Sequence, residues 1–196
     1  MKPRRWLEVG TGIVIVVVVP LAVACGGTTT STSVGAAPAT STPTPSLLAP
    51  ISVKVSGQTI DGIRCEPSTH LVVHVHAHLA IFVNGSPCRV PKNIGILAAA
   101  GGGSCSYWLH SHDDDGIMHV ESPVLRSFTL GNYFDIWGIA LDSMHVGPVG
   151  GTVIVYLNGQ RYAGDVRNIP LDAHNRVQLD VNANVAPVPF SFPPGD

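Results

Sequence analysis

The sequence predicts a mainly β fold, a sandwich or small barrel built from two related hairpin units with one short helix. Three observations carry that expectation. Apolar and polar residues alternate at period two through the central region, as they do in strands with one buried face. Two Asn-Gly pairs, Asn84-Gly85 and Asn158-Gly159, each end such a run, and Asn-Gly supplies the positive φ that a two-residue hairpin turn requires. The composition agrees: 21 glycines and 16 prolines, against 12% charged residues, favour short strands and turns over long salt-bridged helices. A β-grasp-like α+β layout is the alternative, because strand, strand, short helix and a returning hairpin follow in that order.

Taken in order, the 196 residues have room for one domain and for segments that do not fold. Residues 1–25 read as a secretory leader. Lys2, Arg4 and Arg5 supply positive charge, Ile13 to Val19 form an apolar run, and Leu21-Ala22-Val23-Ala24 lead to Cys25. The run is shorter than the roughly 20 residues of a membrane span and suits a signal-peptide core. The segment ending at Cys25 resembles a bacterial lipobox, in which the cysteine is acylated and becomes the mature N-terminus; Ala22 stands where Leu is usual. That resemblance implies a palmitate-type lipid on Cys25 and an exported protein tethered to the membrane on its extracytoplasmic face; a cleaved non-lipid leader and an uncleaved anchor are the alternatives. Residues 26–50 are mostly Thr, Ser, Ala, Gly and Pro with too few apolar side chains to fold, and read as a disordered linker. A net charge of -2, with no Lys/Arg run beyond the N-terminus, argues against nucleic acid as a partner.

The folded region spans 51–186, with a Pro-rich tail over 187–196. Val73, Val75, Ala77, Leu79, Ile81 and Val83 share one face of a candidate strand that ends at Asn84-Gly85. Val153, Val155 and Leu157 repeat the pattern before Asn158-Gly159. Beyond the turns, Lys92-Asn93-Ile94 corresponds to Arg167-Asn168-Ile169, Leu109-His110-Ser111-His112 to Leu171-Asp172-Ala173-His174, and Met118 and Val120 to Val177 and Leu179. Each unit therefore contributes a hairpin and a return strand. Between them Phe128 to Trp137 reads as one short amphipathic helix or turn, limited by Gly131 and Gly138. With Cys25 taken by the lipid, Cys65, Cys88 and Cys105 leave one disulfide and one thiol in an oxidising compartment. Cys65 with Cys105 is the expected pair, since each lies just before a histidine-rich segment; spacing alone leaves the connectivity open.

The nine histidines need an explanation. His74, His76 and His78 occupy the polar face of the first strand, about 6.5 to 7 Å apart along the chain, and two imidazoles so spaced can chelate one ion. His70 can begin the same row. The second unit has Gly150 and Thr152 where His76 and His78 stand, so the scaffold does not require those histidines. His110 and His112 form another same-side pair. If Met118 and Val120 point to the core, His119 and Glu121 point away from it, and pairing of the two strands would bring both sets to one face. Neutral imidazole ligates copper and zinc, with carboxylate as a harder companion. The candidate metal ligands are therefore His74, His76, His78, His110, His112 and His119, of which three or four would hold one copper or zinc ion. Glu121 and Asp113 are candidates to orient the imidazoles from behind. The Asp113 to Asp115 run also reads as a simple turn. His145 and His174 are isolated and read as structural or surface residues, and Met118 and Met144 as core.

Other chemistries find less support. The chain has no Cys-x-x-Cys, no Gly-x-Ser-x-Gly elbow, no phosphate loop and no His-Glu-x-x-His. His110-Ser111-His112 starts like a cupin motif, but Glu121 comes too far after His112 for that pattern. A metal capture or delivery protein is the first reading. An exported metalloenzyme, with Glu121 or a neighbouring Asp as base to a metal-bound water, is the second. A metal-free interaction or pH-sensing module is the third.

The joint pattern of Gly62-Ile63-Arg64-Cys65, HVHAHLAIFVNG (His74 to Gly85), CSYWLHSHDDDGIMHVESP (Cys105 to Pro123) and FTLGNYFDIWG (Phe128 to Gly138) resembles an uncharacterised family of exported prokaryotic proteins and lipoproteins. The resemblance covers most of the folded region. It implies that the histidines and the Cys65–Cys105 pair form a unit, and it implies no activity.

Overall fold

The computed structural model describes residues 57–68, 70–98 and 102–196. The leader, the linker, Cys25 and the start of the predicted folded region lie outside them. In chain order the strands are β1 (Cys65–Glu66), β2 (Val73–Val83), β3 (Ser86–Cys88), β4 (Ile96–Ala98), β5 (Ser104–Tyr107), β6 (Leu109–His110) and β7 (Ile117–Ser122). Helix α1 (Leu130–Trp137) follows, then β8 (His145–Val146), β9 (Val149–Gly150), β10 (Val153–Leu157), β11 (Gln160–Arg161) and β12 (Arg176–Val181). The fold is mainly β, as the alternation predicts. Among the described residues no sheet closes into a barrel: the main sheet is open and mixed, in the order β11-β10-β12-β2-β7-β6, with β3 also on β2.

The two units predicted from the repeat lie side by side in this sheet. Both Asn-Gly pairs make hairpin turns with positive φ at each residue, 50° and 81° at Asn84 and Gly85, 52° and 81° at Asn158 and Gly159. In the first unit β7 returns antiparallel to β2; in the second β12 returns antiparallel to β10. A parallel pairing of β12 with β2 joins them, from Arg176 opposite His78 to Val181 opposite Val83. The units differ in one respect. The β3 hairpin and β7 share one edge of β2, whereas β11 and β12 lie on opposite edges of β10.

One face of the main sheet is apolar and buried. Ala77, Leu79, Ile81, Leu109, Met118, Val120, Val177 and Leu179 pack there with Leu130, Tyr133, Phe134 and Trp137 of α1. Burying four such large helix residues outweighs the weak intrinsic stability of an eight-residue helix in water. Thr129 caps the helix through a reciprocal bond with Asn132, and Gly138 ends it in the left-handed region at φ 78°. Gly131 does not limit the helix, contrary to the expectation; it lies inside it. A Cβ there would stand 2.9 Å from the Arg167 carbonyl oxygen, so glycine lets the turn Val166–Asn168 approach.

Cys65 and Cys105 form the disulfide, tying β1 to the neighbouring β5. Such cross-links persist in oxidising, extracytoplasmic compartments. Cys88 is a free, buried thiol, and burial raises its pKa. No helix among the described residues is long and apolar enough to cross a membrane.

Candidate metal centre

The histidine face is built by strand register. In the β2–β7 pair His74 lies opposite Glu121, His76 opposite His119 and His78 opposite Ile117. In the β6–β7 pair His110 lies opposite His119. Three antiparallel strands therefore align His76, His119 and His110 in one row across the sheet, with His74 and Glu121 one step along. Because side chains alternate faces, burial of Met118 and Val120 in the core puts His119 and Glu121 on the opposite face. Gly116 makes the approach of β7 possible. It adopts φ 84°, and a Cβ there would sit 2.3 Å from the Leu79 carbonyl oxygen.

Two donor groups result among the described residues. His110, His112, His119 and Glu121 form one; His74, His76 and His119 form the other; within each group the ligand atoms lie within 4.8 Å of one another. The spacings are close to those a metal ion demands. With zinc–nitrogen bonds of 2.0–2.1 Å, donors at the corners of a tetrahedron are about 3.3 Å apart. His76 Nε2 lies 3.0 Å from His119 Nδ1, and His110 Nε2 lies 3.2 Å from His112 Nε2. Glu121 Oε1 lies 3.4 Å from His74 Nε2, 3.7 Å from His119 Nδ1 and 4.0 Å from His110 Nε2. The buried histidine clusters can hold a metal ion.

His110 is the best oriented of the donors. Its Nδ1 lies 2.8 Å from the Tyr107 carbonyl oxygen, which only accepts, so Nδ1 carries the proton and donates it. The neutral ring then directs the lone pair of Nε2 at the cluster. A backbone carbonyl behind a ligating imidazole is the usual way of fixing its tautomer. The 3.2 Å contact to His112 follows from this, with His112 Nε2–H donating to His110 Nε2. His110 is 2% exposed. Burial lowers the pKa values of His76 and His110. Burial, reinforced by the neighbouring imidazoles, lowers that of His119 to about 3. These three rings are therefore neutral at neutral pH, the form that ligates metal. His74 and His112 are exposed and border the cluster at its two ends.

Two predicted site residues stand elsewhere. His78 shares the face of His74 and His76, but opposite it β7 offers Ile117 rather than a ligand. Its Nε2–H donates to the Asp115 carbonyl oxygen at 3.1 Å, and its ring stacks on Phe190 with centroids 3.5 Å apart. Burial holds its pKa down at about 4. His78 thus pins the turn before β7. Asp113 is exposed and belongs to neither group. The acidic run is a turn: Asp115 Oδ1 accepts from the Ile117 amide, and Asp114 pairs with Arg89. Glu121, expected behind the imidazoles, lies among the donors. Its signal was available, since on a strand it shares a face with His119 two residues earlier.

The tail over 187–196 follows the same face. Gln178 and Asp180 hold its beginning, accepting from the Val188 and Val185 amides. Farther on, Phe190 covers His78 and Phe192 lies against His174. Asp196 Oδ1 comes within 3.9 Å of His76 Nε2. No pattern in the sequence announces these contacts, nor the role of the Tyr107 carbonyl, because any residue carries a carbonyl. His145 pairs with Asp142 away from the cluster. The chain matches no protein-family model, no curated protein and no solved structure.

Proposed function

We propose that this is an exported, membrane-tethered protein that binds Cu(II) or Zn(II) through its histidine face and serves in metal capture or delivery at the cell surface. One observation carries the reading. The row of imidazoles across β2, β7 and β6, with His112 just beyond β6, places nitrogen donors 3.0 and 3.2 Å apart, beside the Glu121 carboxylate. Five imidazoles and one carboxylate are a donor set for copper or zinc rather than for calcium or magnesium, which take oxygen ligands. His110, His112, His119 and Glu121 would hold the ion. The bound ion would supply positive charge and, where a coordination position stays open, a Lewis acid. The chain's own part is to keep the imidazoles neutral by burial and aimed by the Tyr107 carbonyl. The leader, the lipobox-like Cys25, the disulfide and the motif resemblance to exported prokaryotic proteins support the location.

Elemental analysis of the tag-free full-length protein, dialysed against copper and against zinc, tests the reading. Near-stoichiometric metal in the wild type, lost in His119→Ala, is the expected result, because His119 belongs to both donor groups. Wild-type protein that retains neither metal would overturn it.

A further inference from the structure

The two donor groups share one residue, His119. Nδ1 of His119 faces His76 Nε2 at 3.0 Å and also Glu121 Oε1 at 3.7 Å. A neutral imidazole has one unprotonated nitrogen with one lone pair in the ring plane, and its other nitrogen keeps the proton. One lone pair serves one ion.

We infer that the face holds a single ion at a time, in either of two alternative positions that share His119. This rests on the reading of the face as a metal site. The first position, formed by His110, His112, His119 and Glu121, offers four donors including an anion, the full complement of a tetrahedral ion. The second, formed by His74, His76 and His119, offers three imidazoles, with the Glu121 carboxylate 3.4 Å from His74 and the Asp196 carboxylate 3.9 Å from His76. The ion rests in the first, and the second is where it goes when the first is incomplete. Glu121 links them. Its Oε1 lies 3.4 Å from His74 Nε2 and 4.0 Å from His110 Nε2, so an ion crossing the face stays beside a carboxylate oxygen throughout. Each position has one exposed end, His112 for the first and His74 for the second. The arrangement suits transfer: metal can be accepted at one end of the row and presented at the other.

Zinc added to the metal-free full-length protein provides the test, with stoichiometry read by native mass spectrometry and affinity by competition with a chromogenic chelator. His112→Ala and His74→Ala change exposed residues, and circular dichroism checks that both variants fold. Wild type should bind one zinc per chain. His112→Ala should still bind one, weaker by about 10²- to 10³-fold, the share of one ligand in a four-ligand zinc site. His74→Ala should weaken binding only slightly, because the ion rests in the first position, yet the same change in the His112→Ala background should weaken it much further. That non-additivity is the signature of a fallback position. Two zinc ions per chain would overturn the inference while leaving the metal reading intact. So would a His74→Ala effect equal in both backgrounds, which would mean one merged site. Wild-type protein that binds no zinc would overturn both.

Discussion

His78 offers the sharpest test of how the histidines divide between ligands and scaffold. It is 8% exposed, stacked on Phe190 and hydrogen-bonded to the Asp115 carbonyl oxygen. Burial holds its folded pKa at about 4, against 6.5 for an unperturbed imidazole. The folded state therefore prefers the neutral ring. Its contribution is complete above about pH 6.5 and is lost as pH falls toward about 4, where the unfolded chain binds a proton that the folded chain refuses. Linkage puts the loss at about 2 kcal/mol by pH 5 and about 3 kcal/mol by pH 4, levelling off below. The perturbation is His78→Gln, which keeps an N–H for Asp115 but does not titrate. Urea unfolding of chelator-treated wild type and variant, measured from pH 7 to pH 4, reads the effect. His76, His110 and His119 also resist protonation, so wild type and variant will both weaken in acid. The gap between them isolates His78 and should shift by about 2–3 kcal/mol in favour of the variant as pH falls. Parallel curves across the range would refute the assignment of His78 as a buried, neutral scaffold residue.

Three other outcomes follow from the same structure and a fourth from the sequence. Replacing both Cys65 and Cys105 by Ser opens a 40-residue loop and should cost about 4 kcal/mol in urea unfolding at pH 7, with dithiothreitol having the same effect on wild type and none on the variant. Gly116→Ala should cost at least about 1–2 kcal/mol for a side chain at φ 84°, and more because the Cβ meets the Leu79 carbonyl oxygen; its zinc affinity should fall with its thermal stability, since β7 carries His119 and Glu121. Zinc at about 100 times its dissociation constant should stabilise wild type by about 2.7 kcal/mol, read as a rise in melting temperature that a chelator reverses. If Cys25 carries the lipid of the proposed function, palmitate labelling should mark the wild type and not Cys25→Ser, and an unlabelled wild type would exclude a lipid on that residue.

Much of the face was legible because alternation is a local property of extended backbone. Val73 to Val83 reads as one buried and one polar row whatever it pairs with, and the Asn-Gly pairs mark where it stops. The same rule assigned His119 and Glu121 to the polar side once Met118 and Val120 went to the core. It could not tell His78 from His76. Both lie on the same row of the same strand, and their difference comes from what stands opposite, Ile117 for one and His119 for the other. Nor could it choose between Asp113 and Glu121, since a turn has no faces to alternate. Gly131 misled for a related reason. Glycine in a helix reads as a break until the Arg167 backbone is seen pressed against it.

By itself, then, the sequence determined the mainly β class, the two hairpins, the polarity of each strand face and the residue types able to take a metal. Only the tertiary structure decided the open mixed sheet, the pairing of Cys65 with Cys105, the division of the histidines into two groups around His119, and the withdrawal of His78 beneath Phe190. The physical reason is range. Face and turn depend on a few neighbouring residues, whereas the contact of His76 with His119 spans 43 positions and that of His78 with Phe190 joins the second strand to the tail. Such contacts exist only once the core on the other face has set the register.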